Sequence, residues 1–261
     1  MTSVLNNEAV LKKLRSHEPV SATWAQLASN ISAEILAETG FEVLVIDMEH
    51  SPVTIERLIS MLQGIKGTGC VPFVRAPWND MVWIKQILDA GVCGVHIPYV
   101  STKEEAEYAV KACKYAKAGF RGIAGSQRAV MYGMDKADYY ARANSDITVM
   151  VAIETERGVN NIDEIASVEG VDGIFIGPAD LSTDMGHLGH PEHPEVQAAM
   201  RKIEAGAKKA GKFLGTVAAD ADAAEKLYDM GYSLVYFFSD STGLVTAAKK
   251  QLERFKENRN K

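Results

Sequence analysis

Thr148-Val149-Met150-Val151-Ala152-Ile153-Glu154 and Asp172-Gly173-Ile174-Phe175-Ile176-Gly177-Pro178-Ala179-Asp180 decide the fold. Each is a short, near-continuous apolar run with a carboxylate at or just past its end. Apolarity without alternation marks a strand covered on both faces, as in a parallel sheet. A charge at the end of such a strand sits where α/β proteins gather their chemistry.

Six more runs repeat the pattern, at residues 20–24, 43–47, 71–75, 94–98, 213–217 and 234–238, alongside 148–153 and 172–176. Helical patterns lie between them, including 54–64, 81–90, 102–116, 159–166, 194–210, 221–230 and 244–256. Thr102 with the acids behind it, and Asp220, supply cap signals; Gly91, Gly119, Gly211 and Gly231 supply stops. Strand–helix units repeated in this way across 261 residues predict a single domain, 1–261, of the α/β class: a (β/α)8 TIM barrel, a fold of about 250 residues. A doubly wound sheet is the second choice, but no Gly-x-Gly-x-x-Gly follows the first strand. The stretch 118–145 is too long for a simple connection. It is expected to be a functional loop above the barrel mouth, followed by a helix over 136–143.

A net charge of -6 and a pI of 5.6 argue against a nucleic-acid partner. No run approaches the ~20 apolar residues of a membrane span, and residues 1–15 lack the apolar core of a secretory signal. Cys70, Cys93 and Cys113 lie in apolar or helical stretches and read as buried, reduced thiols of a cytoplasmic protein rather than as nucleophiles.

The strand ends carry acids and bases. The second run ends Ile46-Asp47-Met48-Glu49-His50, the third Val74-Arg75, the fifth at Glu154, and the sixth leads to Asp180. Glu154 and Asp180 are hard oxygen donors from neighbouring strands, suited to an octahedral divalent ion such as Mg²⁺, Mn²⁺ or Co²⁺. The alternative is that each caps a helix or pairs with Arg75. His50 can act as a base near neutral pH, with His96 as its rival; Glu49, between Asp47 and His50, is expected to point away. Arg75 offers a planar fork for an oxyanion, or a salt bridge to Asp47. His187, His190 and His193 fall in a Gly/Pro-rich stretch that reads as a solvated loop rather than a metal site. None of the eight runs contains lysine, so a Schiff base has no donor inside the barrel and carbonyl chemistry would need a metal.

Together, Phe41–Pro52, Val74-Arg75, Ile84–Gly91, Ile153-Glu154-Thr155 and Gly170–Ser182 resemble the HpcH/HpaI aldolase family, with similarity from about Trp24 to Asp240. The resemblance implies a phosphoenolpyruvate/pyruvate-type barrel and a metal-dependent (class II) pyruvate aldolase of sugar-acid or aromatic catabolism. It implies reversible cleavage of a 4-hydroxy-2-oxo acid to pyruvate and an aldehyde, in a hexamer of exchanged-helix dimers. Position by position, it makes Glu154 and Asp180 the metal ligands. Arg75 becomes the group at the keto and enolate oxygen, and His50 the base, with Asp89 as its partner acid and Asp47 as support. Trp24 lines the substrate site, and the backbone of Gly177, Pro178, Ala179 and Asp180 faces the pyruvate carboxylate. Two departures bear on the aldehyde pocket: Ala152 where family members carry glutamine, and the bulky Tyr236-Phe237-Phe238. The run 125–129 is closer to the sugar-acid branch. Two rivals use the same site: a decarboxylase of oxaloacetate-like acids, and a barrel that binds a 2-oxo acid without turnover.

Overall fold

A computed structural model describes residues 4–259. Eight parallel strands close into a barrel in chain order: β1 (Val20–Ala25), β2 (Val43–Asp47), β3 (Val71–Arg75), β4 (Gly94–Ile97), β5 (Thr148–Ile153), β6 (Gly173–Ile176), β7 (Phe213–Val217) and β8 (Leu234–Ser239), with β8 pairing back onto β1. Every predicted strand is present, and almost every strand residue is buried, as expected of strands covered on both faces.

The barrel interior is a packed core built in layers. At the foot, Phe73 lies over Gly94 and Phe213 over Gly173; a Cβ on either glycine would come within 2.6 Å or 2.3 Å of the ring. Large residues are thus matched by absent side chains on the neighbouring strand. Above them lies an aromatic layer. His96 is 4.3 Å from Phe175, Phe175 is 5.1 Å from Tyr236, and Trp24 meets Tyr236 edge-on at 4.7 Å. The third layer is polar and forms the mouth. Asp47 and Arg75 are register partners on β2 and β3, which sets both side chains on one face.

Helices return each strand end to the foot: α2 (Asn30–Glu38), α3 (Ile55–Gly64), α4 (Met81–Ala90), α5 (Lys103–Cys113), α10 (Pro194–Lys209) and α11 (Ala221–Asp229). Short helices intervene: α6 (Lys136–Asp146) before β5, then α7 (Glu156–Asn160), α8 (Ile162–Ala166) and α9 (Pro178–Asp184) around β6. The cap signals act as read: Thr102 and Glu105 form a capping box on α5, and Asp220 caps α11. An N-terminal helix, α1 (Glu8–Arg15), lies at the foot, where Arg142 of α6 reaches Leu5 O and Glu8.

The stretch after α5 does not lie above the mouth. It joins a helix to β5, so topology confines it to the foot, where a 3₁₀ turn (Arg128–Gly133) and α6 fill it. Arg128 there caps two helix ends at once, donating to Ala90 O (2.8 Å) and Leu62 O (3.1 Å).

The last helix, α12 (Asp240–Arg259), behaves unlike the others. Asp240 pins its start by accepting the Gln26 and Leu27 N–H groups, but none of the described residues beyond Asp240 is buried. Leu252 and Phe255 are 53% and 58% exposed, while Ile31 and Ile35 of α2 are 63% and 59% exposed.

Candidate active site

The polar layer at the mouth is built on a buried ion pair. Arg75 donates Nε to Asp47 Oδ1 (3.0 Å) and Nη2 to Asp47 Oδ2 (2.8 Å), a bidentate fork. Burial works against the Asp47 charge, yet the guanidinium holds its pKa below the usual carboxylate range. Gln26 adds a bond to Asp47 (3.2 Å) and is itself held by Ser239 and Ser241, which ties β1 and β8 to the pair. Trp24 lies under the guanidinium, with Cζ 4.4 Å from a ring centroid. Arg75 is therefore salt-bridged to Asp47, and beyond that fork three of its five N–H groups make no hydrogen bond within the chain.

Glu49 turns into the site rather than away from it. Strand alternation stops at Asp47, where the carboxylate accepts the N–H groups of Glu49 (3.1 Å) and His50 (3.3 Å) and curls the chain. The Glu49 carboxylate then sits 3.2 Å from Arg75 Nη1 with its Oε2 buried and without a hydrogen bond. Burial, and after it the charges of Asp47 and Asp180, push its pKa up to about 7 against the pull of Arg75.

Glu154 follows β5 and is buried. Burial raises its pKa to about 7, opposed by the Tyr99 N–H and reinforced by Glu49 and Asp180. Gly177 makes room for it: a Cβ there would lie 2.3 Å from Glu154 Oε1. Pro178 opens α9, which sets Asp180 in its first turn. Tyr99, just past β4, donates its N–H to Glu154 Oε2 (3.1 Å) and its hydroxyl to Asp180 Oδ1 (3.0 Å). Burial and the Asp180 contact raise the Tyr99 phenol to about 12, so the hydroxyl stays a donor.

Four carboxylates thus crowd one guanidinium. Burial and mutual repulsion raise the pKa of two of them, and one has an orphaned oxygen. A hard divalent cation fits this donor set, with Glu154 and Asp180 as the residues to hold it.

His50 stands at the rim, its side chain 57% exposed and 3.8 Å from Glu49 Oε2. The other sequence candidates fare differently. His96 is enclosed by aromatics with both nitrogens unbonded, and burial holds its pKa well below normal, so it cannot serve as an accessible base. Asp89 is not brought to His50 within the chain. It sits at the foot end of α4 and pairs with Arg121 (2.8 Å), whose guanidinium lies 4.5 Å over the Tyr115 ring. Of the bulky β8 residues only Tyr236 faces the interior; Phe237 and Phe238 stack on Phe41. The loop histidines serve α10: His193 Nδ1 accepts the Glu195 N–H (3.3 Å), and His187 bonds Glu195 (2.8 Å). His187, His193 and Glu195 do converge, but the capping bond uses the His193 Nδ1 lone pair and leaves the proton on Nε2, which opposes metal ligation.

Among the described residues no strand carries lysine. The buried Lys114 lies at the foot, bonded to Asn144 O (2.8 Å) and Ile147 O (3.1 Å), away from the mouth. All three cysteines are free and buried, with thiols pushed up to about 12 by burial.

Residues 21–247 match the model of the HpcH/HpaI aldolase/citrate lyase family. A 5-keto-4-deoxy-D-glucarate aldolase of Escherichia coli is 43% identical over 234 residues, covering 90% of this chain and 91% of the relative. Among solved structures, an HpcH/HpaI aldolase/citrate lyase family protein from Burkholderia cenocepacia superposes with a TM-score of 0.91 at 36% identity, covering 95% of this chain and 99% of that one. An HpcH/HpaI aldolase from Desulfitobacterium hafniense gives 0.85 at 30% identity, covering 94% and 96%.

Proposed function

The chain belongs to the HpcH/HpaI aldolase/citrate lyase family, and on that premise we propose a metal-dependent pyruvate aldolase that cleaves a 4-hydroxy-2-oxo acid reversibly to pyruvate and an aldehyde. It is a carbon–carbon lyase. The observation that carries the metal reading is the cluster of half-buried Glu49, buried Glu154 and half-buried Asp180 at the mouth with Arg75, an excess of negative charge that calls for a cation.

When bound by Glu154 and Asp180, Mg²⁺, Mn²⁺ or Co²⁺ would supply Lewis-acid polarisation of the 2-oxo acid. The free N–H groups of Arg75 hold the keto oxygen and the negative charge that grows there as C3–C4 breaks. The Asp47 fork keeps the guanidinium plane fixed, so little reorganisation accompanies the charge. His50, open to solvent at the rim, takes the proton of the C4 hydroxyl. The first amides of α9, at Ala179 and Asp180, have no partner within the helix and face the pyruvate carboxylate. Trp24 forms the floor beneath Arg75. With Ala152 small and Tyr236 inside the barrel, the wall below the site differs from that of family members with glutamine at the former position.

We assign α12 to a second barrel: its apolar residues and those of α2 are both uncovered within one chain, which supports exchanged-helix dimers and a hexamer. Asp89 meets a His50 only where the foot of one subunit docks on the mouth of another. The reduced thiols fit a cytoplasmic setting.

The test is pyruvate release from 5-keto-4-deoxy-D-glucarate and other 4-hydroxy-2-oxo acids, with oxaloacetate alongside. Cleavage is expected to stop in excess chelator and return with Mg²⁺, Mn²⁺ or Co²⁺. Full activity in chelator would overturn the metal reading. Pyruvate from oxaloacetate alone would favour the decarboxylase.

A further inference from the structure

One residue touches both carboxylates that the proposed function assigns to the metal. Tyr99 follows Ile97-Pro98 at the end of β4 and has a φ of 52°, the left-handed region a tyrosine rarely adopts. That conformation serves two bonds at once. The N–H meets Glu154 Oε2 at 3.1 Å, and the hydroxyl meets Asp180 Oδ1 at 3.0 Å. The ring is backed by Trp78, with centroids 5.7 Å apart. Strain of this kind persists where the surroundings over-determine it, and it clusters at working sites.

We propose that Tyr99 is a positioning residue that sets the spacing of Glu154 and Asp180 and commits one oxygen of each, so that each carboxylate offers a single oxygen to a cation. This inference rests on the metal reading above and adds a selectivity to it. Single-oxygen ligation by two carboxylates suits a small octahedral ion that keeps open positions for substrate oxygens. Ca²⁺ takes six to eight oxygens and favours carboxylates that can bind through both. With Tyr99 holding Asp180 Oδ1, that second oxygen is engaged. The hydroxyl therefore favours Mg²⁺ or Mn²⁺ over Ca²⁺, by the same physics through which outer-sphere hydrogen bonds tune other metal centres. Glu154 keeps its partner whatever side chain stands at 99, because that donor is backbone. The two ligands can thus be perturbed separately.

Tyr99→Phe keeps the ring, its contact with Trp78 and the N–H bond to Glu154, and removes only the hydroxyl. Calorimetric Mn²⁺ titration of the purified wild type and variant, each repeated in competition with Ca²⁺, reads the effect without turnover. The variant is expected to bind Mn²⁺ about 10- to 100-fold more weakly, with the preference for Mn²⁺ over Ca²⁺ reduced. Its melting temperature in chelator should match the wild type, which a merely structural role would not allow. Equal Mn²⁺ affinity and equal preference in wild type and Tyr99→Phe would overturn the inference while leaving the metal reading intact. A wild type that binds no Mn²⁺ would overturn the metal reading itself. Should Tyr99→Phe fail to fold, Trp78→Ala loosens the ring with the hydroxyl kept. A loss of roughly threefold in Mn²⁺ affinity is expected there, and wild-type affinity would count against Tyr99 as a positioning residue.

Discussion

The mouth and the foot of this barrel both bury charge, and they treat it in opposite ways. At the foot each buried cation has a partner of its own, although Arg121 Nε and Nη1 make no hydrogen bond. Arg121 pairs with Asp89 and lies over the Tyr115 ring, Lys114 caps two carbonyls, and Arg128 closes the ends of α3 and α4. At the mouth, Asp47, Glu49, Glu154 and Asp180 surround Arg75 alone, two of the acids are pushed up to about 7, and Glu49 Oε2 has no hydrogen bond. A cavity of about 360 Å³ opens at the foot between Cys70, Cys93 and Arg128, but Arg128 and Lys66 are its only charged lining residues. Unbalanced charge sets the mouth apart from this cavity. The foot uses charge to hold elements together, whereas the mouth leaves it unbalanced.

Paired substitutions test that division most strongly. Glu154→Gln keeps the shape of the mouth and removes a proposed ligand. Steady-state pyruvate release should fall by about 10³-fold, an effect of the size seen when a key electrostatic group is lost, while stability in chelator does not fall. Lys114→Ala at the foot should do the reverse. It should lower stability by about 2 kcal/mol in urea titration, the usual scale for a hydrogen-bonded charge, and leave kcat of the folded enzyme unchanged. If Lys114→Ala abolished kcat, or Glu154→Gln spared it, the two ends would not divide as described.

Gly177→Ala sharpens the comparison without altering any charge. Its methyl would fall 2.3 Å from Glu154 Oε1, so the carboxylate must move. A loss of roughly 10- to 100-fold in kcat/KM is expected, on the scale of a displaced metal-site partner. Gly211 at the foot has open space around it, so alanine there meets only backbone strain at its φ of 67°. Unchanged kinetics in Gly177→Ala would show that Glu154 does not need its present position.

The fold is legible because eight buried strands leave an apolar signature that no helix masks, and Glu154 and Asp180 stand out as candidate ligands because each lies beside such a run. Glu49 does not, since its inward turn depends on the Asp47 side chain bonding the next two amides, where period-two reasoning no longer applies. Tyr99 gave no signal, because a left-handed tyrosine after a proline looks like any strand end. The length of the connection after α5 suggests a loop at the mouth, but chain order sends it to the foot. The pairing of Asp89 with Arg121 spans separate elements, so no local pattern announces it. In α12 the apolar residues are visible in the sequence, but not that they stay uncovered within one chain.

The most direct test of the mouth as a cation site is conformational stability against pH, with and without Mn²⁺. Glu49 and Glu154 have folded-state pKa values raised to about 7, above the 4.5 of an ordinary glutamate, so the metal-free folded state holds more protons than the unfolded chain between these values. Their contribution to stability is full below about 4.5 and is lost as pH rises through 7. Urea titrations in chelator should therefore show this contribution declining from pH 5 to pH 8. Excess Mn²⁺, which binds the ionised acids, should restore stability at pH 8 by about 2.7 kcal/mol at a hundred times its Kd, and little at pH 5. A metal-free profile that rises over this range, with no response to Mn²⁺ at pH 8, would contradict the cation site.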